Sequence, residues 1–499
     1  MRKNSFILTL VSLFCLSLFS QLCLAEEEDQ ASTQETIGVY FLSLDEVSRL
    51  ALENNFDIQL AKFDARIKGT DLEKEQSIFD TVIDAEIKYK DDQLKRTSSL
   101  IGTKSLTNEY NFGATKKTST GTTLTVDLDN ERSWTDSSFA TINPAHESKV
   151  TLGITQELGK NFFGLNDRGT IKITKIDIEN AEYTSLDKIE LNLANAQKAY
   201  FRIALALKSL QIKHEILQKA QDLFNLHSEK IKDGLTEMPE LLAAQANVRQ
   251  READVLIAEN ELEFSMNYLK FILNLNEDYP EILPEDEFSI DAENTDLEKV
   301  LKDAFINRRD YTIAKNEVKA KNINLEMKDN NLWPEINLEA SLARNGIESN
   351  FSKALSDAGS EDNPEYYVGI RLSFPIENRL AKSQYNRAEL EKAKAIVDMK
   401  RIERFILTVL IDAVRNCNIY RKRANIQIDI AAIQENKLKE EEKRFKYGRS
   451  NTDTIIRFQE DLLNAKLLAA QAAYDYHVSL IELSLSENTL LDKYSEDIL

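Results

Sequence analysis

Cysteine is nearly absent from this chain. Three occur in 499 residues, and two of them, Cys15 and Cys23, fall in an apolar N-terminal stretch. With that stretch removed only Cys417 remains, and a single thiol excludes an intrachain disulfide. Histidine is as scarce: His146, His214, His227 and His477 are scattered without metal-ligand spacing, so no metal centre is expected. Glycine and proline number only 14 and 7, a scarcity that fits a helix-dominated protein. Past the N-terminal stretch no apolar run reaches the roughly 20 residues that a membrane-spanning helix needs. Basic charge is in deficit too. Without Arg2 and Lys3 the chain carries 61 basic against 84 acidic side chains, a net charge of −23, which argues against a nucleic-acid partner. No Ser/His/Asp arrangement in a motif context and no phosphate-binding loop is found, so neither an enzyme nor a cofactor is expected.

The start of the chain carries an address. Arg2 and Lys3 precede the apolar run Phe6–Phe19, and Cys23-Leu24-Ala25 is an acceptable cleavage site. Residues 1–25 therefore read as a secretory signal peptide. An exported protein without spanning helices can enter a membrane only through strands.

The rest of the chain is duplicated. Leu42–Lys62 and Thr295–Lys315 align at an offset of 253 and share Val47/Val300, Ala51/Ala304, Asn54/Asn307, Asp57/Asp310, Ala61/Ala314 and Lys62/Lys315. Lys230–Leu241 and Arg444–Ile455 align at an offset of 214 and share Lys232/Lys446 and Gly234/Gly448. The order of each copy is a helix, alternating strands, then a long helical hairpin. The expected plan is a signal peptide 1–25, an acidic disordered leader 26–41, repeat 1 over 42–275, an acidic linker 276–296, repeat 2 over 297–486 and a tail 487–499. Repeat 1 divides into a helix 44–78, strands 80–158 and a hairpin 168–275 with its tip near 234. Repeat 2 divides into a helix 297–332, strands 333–376 and a hairpin 380–486 with its tip near 448.

The helices are oversized. Leu186, Ile189, Leu193, Ala196, Tyr200, Ile203, Leu207 and Leu210 alternate spacings of three and four, and the stripe continues through His214, Leu217, Gln221 and Phe224. Ile402, Ile406, Val409, Ala413, Cys417, Tyr420 and Ala424 form a similar stripe in repeat 2. This is coiled-coil-like packing. Helices from about Ile171 to Lys232 and from about Leu380 to Tyr447 would each be roughly 90–100 Å long, the scale of a rod or a tunnel wall. Gly234 and Gly448 read as their stops, since glycine takes the left-handed conformation at little cost. Pro239 suits the first turn of one return helix, and Asn451 or Thr452 can cap the other.

Six segments alternate apolar and polar residues. They contain Ile83/Ala85/Ile87/Tyr89, Tyr110/Phe112/Ala114, Leu124/Val126/Leu128, Val150/Leu152/Ile154, Ile336/Leu338/Ala340/Leu342 and Val368/Ile370/Leu372/Phe374. Alternation alone does not separate a membrane barrel from a soluble sandwich. Export, full charges on the polar faces and aromatic ends (Tyr89, Trp333, Phe374) favour the barrel. The two offsets differ by 39 residues, which locates an additional strand pair at Thr107–Thr115 and Thr122–Asp129, joined by the turn Thr118–Gly121. Whether this pair widens the barrel or stands above it is open, so four or six strands are expected per chain. Four are too few to close a barrel, so several copies must share one. Three copies of a chain with two hairpins would give a pseudo-sixfold helical ring.

Taken together, the chain resembles the TolC-like outer-membrane efflux protein family. The resemblance rests on LSLDEVSRLALENN at Leu42–Asn55 and its echo at Thr295, Trp333-Pro334, Ser373-Phe374-Pro375-Ile376, and RFKYGRSNTDTI followed by Asn464-Ala465-Lys466. It implies a mainly α fold with a β-barrel part shared by a homotrimer, in contact with outer-membrane lipid. It also implies a passive exit duct that works with a periplasmic adaptor and an energised inner-membrane transporter. The hairpin tips would form the periplasmic entrance, which makes Gly234, Glu240, Gly448, Asp453 and Arg457 the gate candidates. Some family members carry acidic residues six and nine positions past the second glycine. Here those positions are Thr454 and Arg457, so a Glu240/Asp453–Arg457 network is expected instead. A structural periplasmic coiled coil or adhesin is the alternative; it explains the heptads but not the strands or the paired tips.

Overall fold

The structure is a computed structural model that describes residues 39–96, 100, 102–276, 279–286, 289–290, 296–360 and 364–494. The signal peptide, residues 26–38 of the leader and the end of the tail lie outside the described residues. The chain begins with β1 (Val39–Leu42), α1 (Leu44–Asn54), α2 (Phe56–Gly69) and α3 (Asp71–Gln76). The strands β2 (Thr81–Asp92), β3 (Ser105–Lys117), β4 (Thr122–Thr135) and β5 (Ala145–Glu157) follow, then the hairpin α4 (Leu165–Lys232) and α5 (Met238–Ile272). After β6 (Glu281–Pro284) the second copy runs α6 (Leu297–Asn307), α7 (Arg309–Asn330), β7 (Glu335–Glu348), α8 (Phe351–Ala358) and β8 (Pro364–Ser373). It ends in the hairpin α9 (Arg379–Lys446) and α10 (Thr452–Glu487).

Two expected helices are broken at equivalent points. The stretch 44–78 bends at Asn55 and the stretch 297–332 at Arg308, each with extended ψ (126° and 116°). Asn55 makes its bend useful: its side chain accepts from the Ile58 N–H at 3.0 Å and donates to the Ile272 carbonyl at 2.8 Å. A helix-starting cap and a tie to the end of α5 outweigh continuous helix at this position. The leader and linker also differ from expectation. Within the acidic stretches, Val39–Leu42 pairs in parallel with Glu281–Pro284. Leu42 and Ile282 are buried there, and Asp286 accepts from the Leu44 N–H and the Tyr200 hydroxyl, both at 2.8 Å. Hydrophobic burial and satisfied polar groups order what composition alone marks as loop.

All six alternating segments join one antiparallel sheet in the order β2-β3-β4-β5-β7-β8. The additional hairpin β3–β4 therefore widens the sheet between β2 and β5. An inserted pair keeps every neighbour antiparallel, so the sheet accepts it without reversing a strand. The Thr118–Gly121 turn sits beside the helical end, where Arg168 donates to the Ser119 carbonyl at 2.8 Å. One face carries the row Ile83, Ala114, Val126, Leu152, Leu342 and Tyr366 through successive register partners. The opposite face carries Asp84, Glu86, Glu109, Asp127, Asp129, Glu131, Glu147 and Glu339. Beyond the apolar band, α8 folds back over the band's own face and buries Ser148 and Asn130, which share a 2.7 Å hydrogen bond.

The core lies in the helices. Ile189, Leu193, Ala196, Tyr200 and Ile203 of the heptad stripe are buried against α1, α2 and α5. The stripe then changes frame. Instead of His214, Leu217, Gln221 and Phe224, the buried positions are Ile212, Ile216, Ala220, Leu223 and His227, while the His214 side chain is 53% exposed. A straight helix has 3.6 residues per turn and drifts against a seven-residue repeat, so a fixed heptad frame cannot stay on one face for 68 residues. Among the described residues no helix is long and apolar enough to cross a membrane.

Candidate functional site: the paired hairpin tips

Each long helix ends in the same turn. Gly234 and Gly448 take φ of 66° and 73°. The residue after each glycine bonds back to the helix: Leu235 N–H to the Lys230 carbonyl at 2.8 Å, and Arg449 N–H to the Arg444 carbonyl at 2.9 Å. This is the Schellman geometry, and the left-handed residue it needs is why glycine occupies both positions. Open space surrounds both glycines, so conformation rather than room selects them. The return helices start at once. Pro239 lies in the first turn of α5, and Asn451 caps α10 by accepting from the Thr454 N–H at 2.9 Å.

Behind the turns, Leu223 of α4, Ala244 of α5, Phe445 of α9 and Ile455 of α10 form a small core common to both hairpins. Polar links reinforce it. Asn247 donates to Gln459 at 3.1 Å, and the nearly buried Arg251 pairs with Glu460 across the hairpins and with Asp254 at 2.9 Å on its own helix. Farther along, Lys466 of α10 pairs with Glu215 of α4 at 2.8 Å.

The five gate candidates all lie at this end, but the expected Glu240/Asp453–Arg457 network does not form within the chain. Among the described residues none of the three makes an ion pair. The Arg457 guanidinium instead lies 5.5 Å from the Phe458 ring centroid on its own helix. Asp453 and Arg457 lie one turn apart on one face of α10, within reach of each other, but their side chains do not meet, and Glu240 is on the other hairpin. The residues that do join the tips were missed: His227, Thr236, Thr452, Arg251 and Glu460. The heptad frame pointed at His214, and only the frame drift exposes His227 as the buried histidine.

Solved structures share this architecture. The Campylobacter jejuni CmeC outer membrane channel matches over 91% of this chain and 89% of its own, at 15% identity and a TM-score of 0.64. CusC, whose structures concern transmembrane channel formation, matches over 93% and 99%, at 15% identity and a TM-score of 0.68. The open state of the Neisseria gonorrhoeae MtrE outer membrane channel matches over 94% and 96%, at 16% identity and a TM-score of 0.65. This is the fold of the TolC-like outer-membrane efflux channels. Residues 120–275 also match the sequence model of the outer membrane efflux protein family. No curated protein sequence matches. The long hairpins run away from the sheet, so the tips lie at the end farthest from it.

Proposed function

We propose that this chain is one third of a trimeric channel-tunnel in the outer membrane of a Gram-negative cell. It serves as the passive exit duct of a tripartite efflux or type I secretion system. The signal peptide exports it, the strands enter the lipid, and the hairpins cross the periplasm to meet an adaptor and an inner-membrane transporter that supplies the energy. The observation that carries this reading is the sheet with two unpaired edges. Both β2 and β8 are exposed along nearly their whole length. An open edge beside an apolar face is stable in lipid only if another copy closes it. Three sheets of six strands make an eighteen-stranded barrel, a size that leaves an aqueous channel.

Two further observations support a ring of copies. Helix α9 exposes Leu390, Val397, Phe405, Ile419, Ile426 and Ile433 along one face. Helix α2 exposes Phe56, Leu60, Phe63 and Ile67, also on one face. Carboxylates dominate the polar side of the sheet, with Glu109, Glu131 and Glu147 side by side in register, so the pore favours cations. The test is reconstitution. The purified protein is expected to run as a heat-modifiable trimer and to form pores in planar bilayers. A water-soluble monomer without pore activity would overturn the proposal.

A further inference from the structure

His227 is the histidine that both hairpins share. It lies on α4 one heptad before Gly234 and is only 3% exposed. Its Nδ1 is 3.2 Å from the Thr236 hydroxyl in the first tip. Its Nε2 is 2.9 Å from the hydroxyl of Thr452, the first residue of α10 in the other hairpin. The ring meets Phe445 of α9 edge-on at 5.8 Å. Three of the four long helices and the turn of the first tip thus converge on one imidazole.

The duplication supplies an internal control. The repeat partner of His227 at the offset of 214 is Glu441, and the partner of Thr236 is Ser450. Glu441 accepts from the Ser450 hydroxyl at 2.6 Å, so both tips contain the same helix-to-turn bond. The second carboxylate oxygen of Glu441 is taken by Arg444 of the same helix at 3.0 Å, whereas the second nitrogen of the imidazole continues the chain of bonds into the other hairpin. The link to Thr452 is therefore not needed to fold a tip; it couples one tip to the other.

We propose that His227 is the latch of the tunnel entrance: its neutral ring holds the two hairpins of a protomer together, and a proton on that ring releases them. The neutral imidazole offers one donor and one acceptor, and the two hydroxyls complement both. After protonation both nitrogens donate, so the threonine that had donated to the ring must turn its hydrogen away. A positive charge is also left in a closed slot. The charged groups around it do not neutralise it fully. Lys230 on its own helix repels it and Glu240 of α5 attracts it, while the residues facing it from α9 and α10, Phe445 and Thr452, are not ionisable.

Burial holds the imidazole below its ordinary value of 6.5. A released ring in water takes up its proton near that ordinary value, so the latched state binds fewer protons. Latching is complete above about pH 6.5 and weakens as the pH falls below it, until the latched ring itself titrates.

The consequence for flow rests on the channel reading, but the latch itself does not. Conductance of the full trimer is to be measured at pH 7.5 and 5.5 for wild type, His227→Gln and His227→Ala. Glutamine keeps a donor and an acceptor but does not titrate. Wild type is expected to open several-fold on acidification, the glutamine variant to stay low at both values, and the alanine variant to be open at both. An acid response that survives in His227→Gln overturns the proposal, as does an alanine variant as closed as wild type at pH 7.5. Hydrogen exchange over residues 225–240 of the same proteins reads the latch without a pore. Protection corrected for intrinsic rate should fall at pH 5.5 in wild type and not in His227→Gln. Equal loss in both overturns the latch, whereas normal exchange behaviour with no conductance from any variant overturns only the channel.

Discussion

The two long outgoing helices, α4 and α9, have the same length of 68 residues and end in the same turn, yet they are used differently. Twenty residues of α4 are buried against ten of α9. Equivalent positions agree in the middle, where Ala196/Leu410, Tyr200/Val414 and Ile203/Cys417 are all buried. They part elsewhere: Ile212 is buried, whereas its counterpart Ile426 is 57% exposed. Duplication has preserved helix length, cap and turn, because these are set by local sequence. Burial depends on neighbours, and within one chain α4 packs against more elements than α9 does. Repeat 1 is the scaffold on which the chain folds, and repeat 2 leaves the long apolar stripe of α9 exposed, the face through which copies would assemble in the proposed trimer.

Charge placed on the two helices should separate these roles. Phe405→Asp, Ile419→Asp and Ile426→Asp together put three carboxylates on the exposed stripe of α9. The expected result is loss of the heat-modifiable trimer with helical circular dichroism retained, since no buried site is disturbed. Three aspartates at Leu193, Ala196 and Ile203 of α4 should instead abolish helical signal, because each buries a charge without a partner. If both sets unfold the chain, or both leave the trimer intact, the division of labour between the repeats is wrong.

Much of this architecture is legible in the sequence, for a reason visible in particular residues. The strands read correctly because Ile83, Ala85, Ile87 and Tyr89 alternate with charged residues, and a period of two survives any tertiary context. The turns at Gly234 and Gly448 are legible because both glycines are needed for backbone geometry alone. What failed was whatever depended on contacts distant in sequence. The break at Asn55 follows from a bond to Ile272, and β1 is ordered by residues some 240 positions away. The link between the hairpins was hidden for the same cause: Arg457 and Glu240 suggest a network by charge, but within the chain His227 and Thr452 meet across the hairpins, residues whose contact only the drift of α4 reveals.

Between the scaffold and the assembly face lies one buried junction. Glu190 of α4 is fully buried and accepts from Arg309 of α7 at 2.5 Å, from Asn488 at 2.7 Å and from the Leu490 N–H at 2.8 Å. It ties repeat 1 to repeat 2 and to the end of the chain. Among the described residues Glu190→Ala leaves Arg309 with only Asp187, at 3.0 Å, and should lower stability by about 3–5 kcal/mol in urea unfolding. The repeat partner of Glu190 is Arg404, which is exposed on α9. Arg404→Ala should change stability by less than about 0.5 kcal/mol, as surface substitutions usually do. Similar effects at the two positions would mean that repeat 2 is packed as tightly as repeat 1.

The smallest difference is at the start of each copy. Repeat 1 opens with a capping box in which the Ser43 N–H donates to Glu46 at 2.8 Å and the Glu46 N–H to the Ser43 hydroxyl at 3.3 Å. Among the described residues repeat 2 has only Asp296 there, which accepts from the Glu298 N–H at 3.1 Å. Ser43→Ala should destabilise by about 1 kcal/mol. The reciprocal half of the box depends on pH. The bonds from the Ser43 backbone and hydroxyl hold the Glu46 carboxyl below its ordinary value of 4.5. That stabilisation is present above pH 4.5 and is lost as the pH falls through the lowered value. Wild type and Ser43→Ala should therefore draw closer in stability on acidification to about pH 3. A gap unchanged between pH 7 and pH 3 would show that the cap works through the serine hydroxyl alone, leaving repeat 1 no better fastened at its start than repeat 2.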